Sequence, residues 1–194
     1  MSFKKKILVF ITIVGATAGL YKIYDVCFNY RFMEISENKV YKSGVIPPDE
    51  IAGFVEKHHI KSIIDLRGPV TTDTINNPEK PKEILAEKSA VEKIAGVNYY
   101  NIPSNQVPDK NTMKRFFKVM DNKENYPVLI HCYHGIGRAQ VYSAIYRIEY
   151  EGFSNEEARS KAAFPVMFSS FDHGTPKGEF LKSYQSRKAL QAKK

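Results

Sequence analysis

A chain of 194 residues with 43% hydrophobic and 26% charged residues has the composition of one globular domain, which excludes disordered, collagen-like and polytopic membrane chains. Its formal charge of +8 suits an anionic partner: a phosphate ester, a nucleic acid or an acidic membrane face. The two cysteines, Cys27 and Cys132, exclude a disulfide-stapled scaffold and a four-cysteine zinc site.

The chain opens with Lys4-Lys5-Lys6 and then runs uncharged from Ile7 to Tyr21. A basic leader before an apolar run keeps the N-terminus inside and sends the downstream chain out of the cytoplasm. Ala16-Thr17-Ala18 has the small-x-small form of a signal-peptidase site, so cleavage after Ala18 would give a periplasmic or secreted domain. Ile23, Tyr24, Val26, Cys27 and Phe28 favour retention, because they extend the apolar character past Lys22 towards a span of about 17 residues or more. Residues 1–28 are read as a signal peptide or membrane anchor of a cell-envelope protein, 29–186 as the folded domain, and 187–194 as a basic tail.

In the domain, residues 30–41 form an approach that ends in a short first strand, Lys39-Val40-Tyr41. Ser43-Gly44 breaks it, and Pro47-Pro48-Asp49-Glu50 opens a helix through about Lys57. The β-branched run Ile60 to Leu66 predicts a buried strand that stops at Arg67-Gly68. Residues 71–82 read as a loop, Glu83 to Ile94 as a helix ended by Gly96, and Val97 to Ile102 as the next strand. Asn111 to Asp121 is a helix with Met113, Phe116, Phe117 and Met120 on one face. Pro127 to His131 is continuously apolar up to its histidine and predicts a central strand. A helix follows Arg138, with Val141, Ala144, Ile145 and Ile148 at core spacing and Gly152 at its end. Ser154 and Glu157 predict a capping box for the next helix. Strands alternating with helices predict an α/β fold, a central mostly parallel sheet flanked by helices.

The chemistry concentrates in Cys132-Tyr133-His134-Gly135-Ile136-Gly137-Arg138. The two glycines let the backbone turn with its amides facing inward, and the following helix adds the positive end of its dipole. A cysteine in such a nest becomes a thiolate readily, and the arginine fork matches two oxygens of a phosphate. The arrangement predicts a dianion cradle with a thiolate at its base, suited to phosphoryl transfer through a phosphocysteine.

His131-Cys132-x-x-Gly135-x-x-Arg138 resembles the signature of the cysteine-dependent protein-tyrosine and dual-specificity phosphatases. Val40 to Gly44, Ile60 to Gly68, and Ala144 to Arg147 with Glu151 to Ser154 are similar to a bacterial, often exported, dual-specificity-like branch. The resemblance implies a phosphatase-like catalytic domain over 29–186. Cys132 would be the nucleophile and Arg138 the phosphate clamp, with substrate held by the loop Tyr133, His134, Gly135, Ile136 and Gly137 as well as Arg138. It implies no metal and no cofactor. His131 is expected to brace the loop. The family places Ser or Thr after the arginine, where this chain has Ala139, so breakdown of the intermediate is expected to be slow. The family's acidic proton donor precedes a proline; the matching stretch, Pro103 to Pro108, holds no acid. Asp109 is the stand-in, equally readable as a cap for the helix starting near Asn111.

Other classes fit the sequence less well. Sulfur transferases use a loop one residue shorter, and low-molecular-weight phosphatases and arsenate reductases carry theirs at the N-terminus. A metal site from His131, Cys132, His134 and His173 is disfavoured because adjacent strand residues point apart. Basic residues are dispersed rather than striped with aromatics, which argues against nucleic acid. The rival of a different class is a phosphate-binding module that has lost turnover. The expected substrate is a phosphorylated protein or a small phosphoester, with lipid or inositol phosphates as the alternative.

Overall fold

The computed structural model describes residues 2–68, 78, 80–163 and 169–192. Most of the predicted loop over 71–82 lies outside them. Five strands form one sheet: β1 (Met33–Ser36), β2 (Val40–Ser43), β3 (Ser62–Asp65), β4 (Asn98–Asn101) and β5 (Val128–His131), in the order β1-β2-β5-β3-β4. β1 is antiparallel to β2, and the β2–β5, β5–β3 and β3–β4 pairs are parallel. The expected mostly parallel sheet is present, with β5 at its centre. β5 is buried over its whole length, as a strand covered on both faces must be.

Two layers of helices bury the sheet. α5 (Arg138–Tyr150), α4 (Lys110–Met120) and α6 (Asn155–Ala163) lie over one face. Phe116, Val128, Ile130, Tyr142 and Ile145 belong to the core on that side. On the other face α2 (Ile51–His58) and α3 (Pro81–Val91) enclose a smaller core of Ile51, Val55, Ile63, Val91 and Leu129. Alternate residues of β3 and β5 thus feed opposite cores, as the period of a strand requires. The capping box forms as expected: the Glu157 N–H donates to Ser154 Oγ (3.3 Å) and the Ser154 N–H to the Glu157 carboxylate (2.9 Å).

Several boundaries differ from the expected ones. β1 falls in the segment expected to be an approach, because Met33 and Glu34 are both exposed and only Ile35 is buried, which gives no strand alternation. Residues 47–50 make a turn, with the Ile51 N–H donating to the Pro47 carbonyl (3.0 Å), and α2 begins only at Ile51. Two helices went unpredicted, α7 (Pro176–Ser183) and α8 (Arg187–Gln191). Arg187, at the head of the expected tail, pairs with Asp121 (2.7 Å) and Glu149 (3.0 Å). The N-terminal segment is one helix, α1 (Phe3–Cys27), with no buried residue. Its hydropathy of 1.8 and its length make it apolar and long enough to cross a membrane.

Candidate active site

β5 delivers Cys132 to the C-terminal edge of the sheet, and α5 starts at Arg138. The turn between them is tight because Gly135 takes φ +71° and sits directly on the end of β2. A Cβ there would lie 2.5 Å from the Gly44 nitrogen and 2.6 Å from the Ser43 carbonyl carbon, so only glycine fits. The Gly135 N–H donates to Cys132 Sγ at 3.3 Å. Arg138 is 1% exposed, and its Nη1 donates to the Leu66 carbonyl at 2.6 Å. The guanidinium is therefore held in place by the end of the neighbouring strand region. Ala139 is fully buried beside it.

A cavity of about 90 Å³ opens over the sulfur. Of the predicted residues, Cys132, His134, Ile136, Gly137 and Arg138 line it together. Tyr133 does not: its ring stands edge-on to that of His134, with centroids 4.8 Å apart. Gly135 contributes its amide. Three lining residues carried no signal in the sequence: Gln106, Ser170 and Lys177. Lys177 lies 3.2 Å from Gln106 Oε1 and 5.0 Å above the Phe171 ring. The signal for its helix was legible, since Thr175 caps α7 through the Gly178 N–H and Pro176 follows at the first helical position. Gln106 lies in the stretch where the family's acid was sought.

Asp109 is not brought to this cavity. Its carboxylate accepts from the Thr112 N–H at 2.8 Å and caps α4, and it lines a separate groove along α4 with Phe117 and Tyr184. The Thr112 amide holds the carboxyl below the ordinary aspartate range. Asp109 thus caps α4 and is not among the residues that line the cavity over the sulfur.

Behind the loop lies a charged cluster that the sequence did not announce. His131 places Nε2 2.8 Å from Glu87 Oε1 and 3.7 Å from Asp65. Arg67 bridges both carboxylates, at 2.9 Å to Asp65 and 2.6 Å to Glu87. The Tyr99 hydroxyl donates to Asp65 at 2.6 Å. Burial raises the Asp65 carboxyl, but His131 and Arg67 outweigh it and hold the group below its usual range. Asp65, Glu87 and His131 are ligand types within 4.8 Å of one another, yet the Arg67 guanidinium already occupies the space between the carboxylates. His131 thus belongs to this cluster behind the site, and a metal there would have to displace Arg67.

Solved structures of known proteins share this fold. Among solved structures, the core catalytic domain of the PP-IP phosphatase SIW14 from S. cerevisiae is 17% identical with a TM-score of 0.57, covering 83% of this chain and 89% of that one. TpbA from P. aeruginosa is 16% identical with a TM-score of 0.59, covering 81% and 86%. A DUF442 protein from Shewanella putrefaciens CN-32 is 19% identical with a TM-score of 0.54, covering 84% and 91%. At such identities they establish a shared fold. No curated protein matches the sequence. A family model described as "PTP-NADK: DSP-PTPase phosphatase fused to NAD+ Kinase" matches residues 26–173, a stretch that contains the sheet, the loop and α5. The chain belongs to this DSP-PTPase family and is a cysteine-dependent phosphomonoester hydrolase.

Proposed function

We propose that Cys132 is the nucleophile. Its sulfur attacks phosphorus in line with the ester oxygen, forming the S–P bond as the P–O bond breaks. The leaving oxygen departs with the electron pair. Water then attacks the phosphocysteine, the P–S bond breaks, and inorganic phosphate is released. Arg138 binds two of the phosphoryl oxygens with its fork, and the amides of the loop and of the first turn of α5 hold the third. The observation that carries this reading is the Gly135 N–H on Cys132 Sγ (3.3 Å) in the same small cavity as Arg138.

The substrate class is a phosphorylated protein or a small phosphoester whose alcohol leaves easily. Among the described residues no carboxylate lines the cavity, which favours leaving groups stable as anions, such as phenols, over alkyl alcohols. TpbA has been crystallised with phosphotyrosine, and this supports an aryl ester. SIW14 is a PP-IP phosphatase, and cleavage of a phosphoanhydride also expels a stable anion, a phosphate. His134, Ile136 and Lys177 are positioned to meet the part of the substrate beyond the phosphate. We assign residues 1–28 to a retained anchor that leaves the 29–186 domain outside the cytoplasm, supported by Lys4 to Lys6 before the apolar run of the 25-residue helix α1.

Cys132→Ser is expected to abolish turnover of phosphotyrosine peptide while still binding phosphate, because the amides and Arg138 remain. A variant that still turns over overturns the mechanism. A panel of phosphotyrosine, phosphoserine, inositol phosphate and phosphatidyl phosphate substrates ranks the substrate classes. Intact Lys4 to Lys6 on the mature protein confirms the anchor, and a chain starting at Gly19 replaces it with a cleaved signal.

A further inference from the structure

The loop is held from outside at three successive carbonyls. The Val45 N–H donates to the Tyr133 carbonyl (3.1 Å), Arg31 Nη1 to the His134 carbonyl (2.7 Å) and Lys42 Nζ to the Gly135 carbonyl (3.1 Å). In a planar trans peptide the C=O of one residue and the N–H of the next point in opposite directions. Pulling these three carbonyls outward therefore turns the N–H groups of His134, Gly135 and Ile136 inward, towards the phosphate cavity. One of the three bears out the geometry, since the Gly135 N–H meets Cys132 Sγ. Lys42 Nζ also lies 3.3 Å from the Arg31 carbonyl, so the two cations are tied to each other as well as to the loop.

The geometry points to Arg31 and Lys42 as positioning residues that hold the phosphate-binding amides in their inward orientation and supply fixed positive charge behind the thiolate. The inference rests on the phosphatase reading of the loop and adds two residues outside the signature. Lys42 is 2% exposed and has two carbonyl acceptors but no carboxylate partner within ion-pair distance among the described residues. A buried cation without a carboxylate is costly and is kept where its charge is used. The charged groups around it are Cys132, Asp25, Arg31 and Lys22; burial pushes its ammonium down to about 8, and the anion that most opposes that shift is Cys132. Arg31 is placed with equal care. It and Tyr30 take left-handed backbone, φ 53° and 52°, an unfavoured conformation for side-chain-bearing residues that sends the Arg31 side chain across to the loop. The Gly44 N–H closes the same bracket on the Tyr30 carbonyl (2.7 Å).

The test uses the full chain in detergent micelles, with orthovanadate as the probe of the phosphate site. Lys42→Met and Arg31→Met are each expected to weaken vanadate inhibition roughly tenfold and to slow alkylation of Cys132 by iodoacetamide at neutral pH. Lys42→Arg is expected to restore both, and to move the alkaline limb of the pH–rate profile upward from about 8, because a guanidinium keeps its proton there. Arg31 is only partly buried, so Arg31→Met decides the matter if Lys42→Met fails to fold. Unaltered vanadate inhibition and alkylation in the folded methionine variants overturns the positioning role. So does an alkaline limb that Lys42→Arg does not move. Cys132→Ser separates the two readings: loss of turnover there with unaltered methionine variants removes only the bracket, whereas retained turnover removes the nucleophile itself.

Discussion

β5 and its loop are flanked by two polar supports of opposite design. On the β3 side, Asp65, Arg67, Glu87 and His131 are all buried and face one another, with Tyr99 closing the set. Each carboxylate has the Arg67 guanidinium as a partner within the set. On the β2 side, Arg31 and Lys42 donate to neutral carbonyls; among the described residues neither pairs with a carboxylate, and the anions acting on Lys42 are Cys132 and Asp25. The first arrangement stabilises the fold and the second prepares the site. Buried ionic groups therefore serve two ends within one molecule, and what separates them is whether the counter-charge sits inside the cluster or in the cavity.

Breaking the β3 side should cost the most stability. Glu87→Gln removes one partner from Arg67 and His131 and is expected to lower the unfolding free energy by about 3–5 kcal/mol, read as a shift in urea midpoint at constant slope. The fraction that stays folded should bind vanadate with unchanged affinity, because the Glu87 side chain pairs with Arg67 and His131 and not with the loop. A variant with near-native stability and a weakened phosphate site would erase the distinction between the supports.

Lys42→Met should do the reverse. Folding must desolvate the ammonium, so replacement by a hydrophobe of similar length is expected to raise stability by about 1–3 kcal/mol even as activity falls. The pH dependence fixes the sign. With the folded-state value lowered to about 8, the unfolded chain binds more protons between there and the ordinary lysine range, so wild-type stability rises with pH across that window. Lys42→Met should lose this rise. A destabilised variant whose pH dependence matches the wild type would make Lys42 an ordinary structural residue.

The same contrast explains what could be read in the sequence. Cys132 to Arg138 was legible because its chemistry is contiguous: nucleophile, glycines, clamp and helix start follow one another, after an apolar strand that announces a central position. The sheet was legible for the same local reason, through the runs Ile60 to Leu66 and Pro127 to His131. The supports were not. Arg31 meets His134 across 103 residues and Lys42 meets Gly135 across 93, and no spacing rule connects them. The expected strand ended at Tyr41, so Lys42 gave no sign of lying in a strand whose every residue is buried; Asp65 and Arg67 left a trace at the end of an apolar run. Gln106, Ser170 and Lys177 come to the cavity from separate segments, and only the fold brings them together.

Asp109 supplies the reference case, a polar group that serves neither support. Its carboxylate is bonded to the Thr112 amide of its own helix, and that bond holds it below the ordinary aspartate range. A depressed carboxyl contributes stability above its unfolded-state value and loses it as the pH falls through the folded one. Asp109→Ala is therefore expected to lower the melting temperature slightly at neutral pH, with the difference from wild type vanishing in acid. Catalysis should respond differently from what a proton donor would show. Loss of a general acid slows poor leaving groups by about 100- to 10,000-fold and spares those already stable as anions. The ratio of nitrophenyl phosphate to alkyl phosphate hydrolysis should instead stay at its wild-type value, since the side chain faces the α4 groove and not the sulfur. Selective slowing of the alkyl ester would return Asp109 to the chemistry, and would require its carboxylate to leave the Thr112 amide and turn towards the cavity that Gln106 of the same segment already lines.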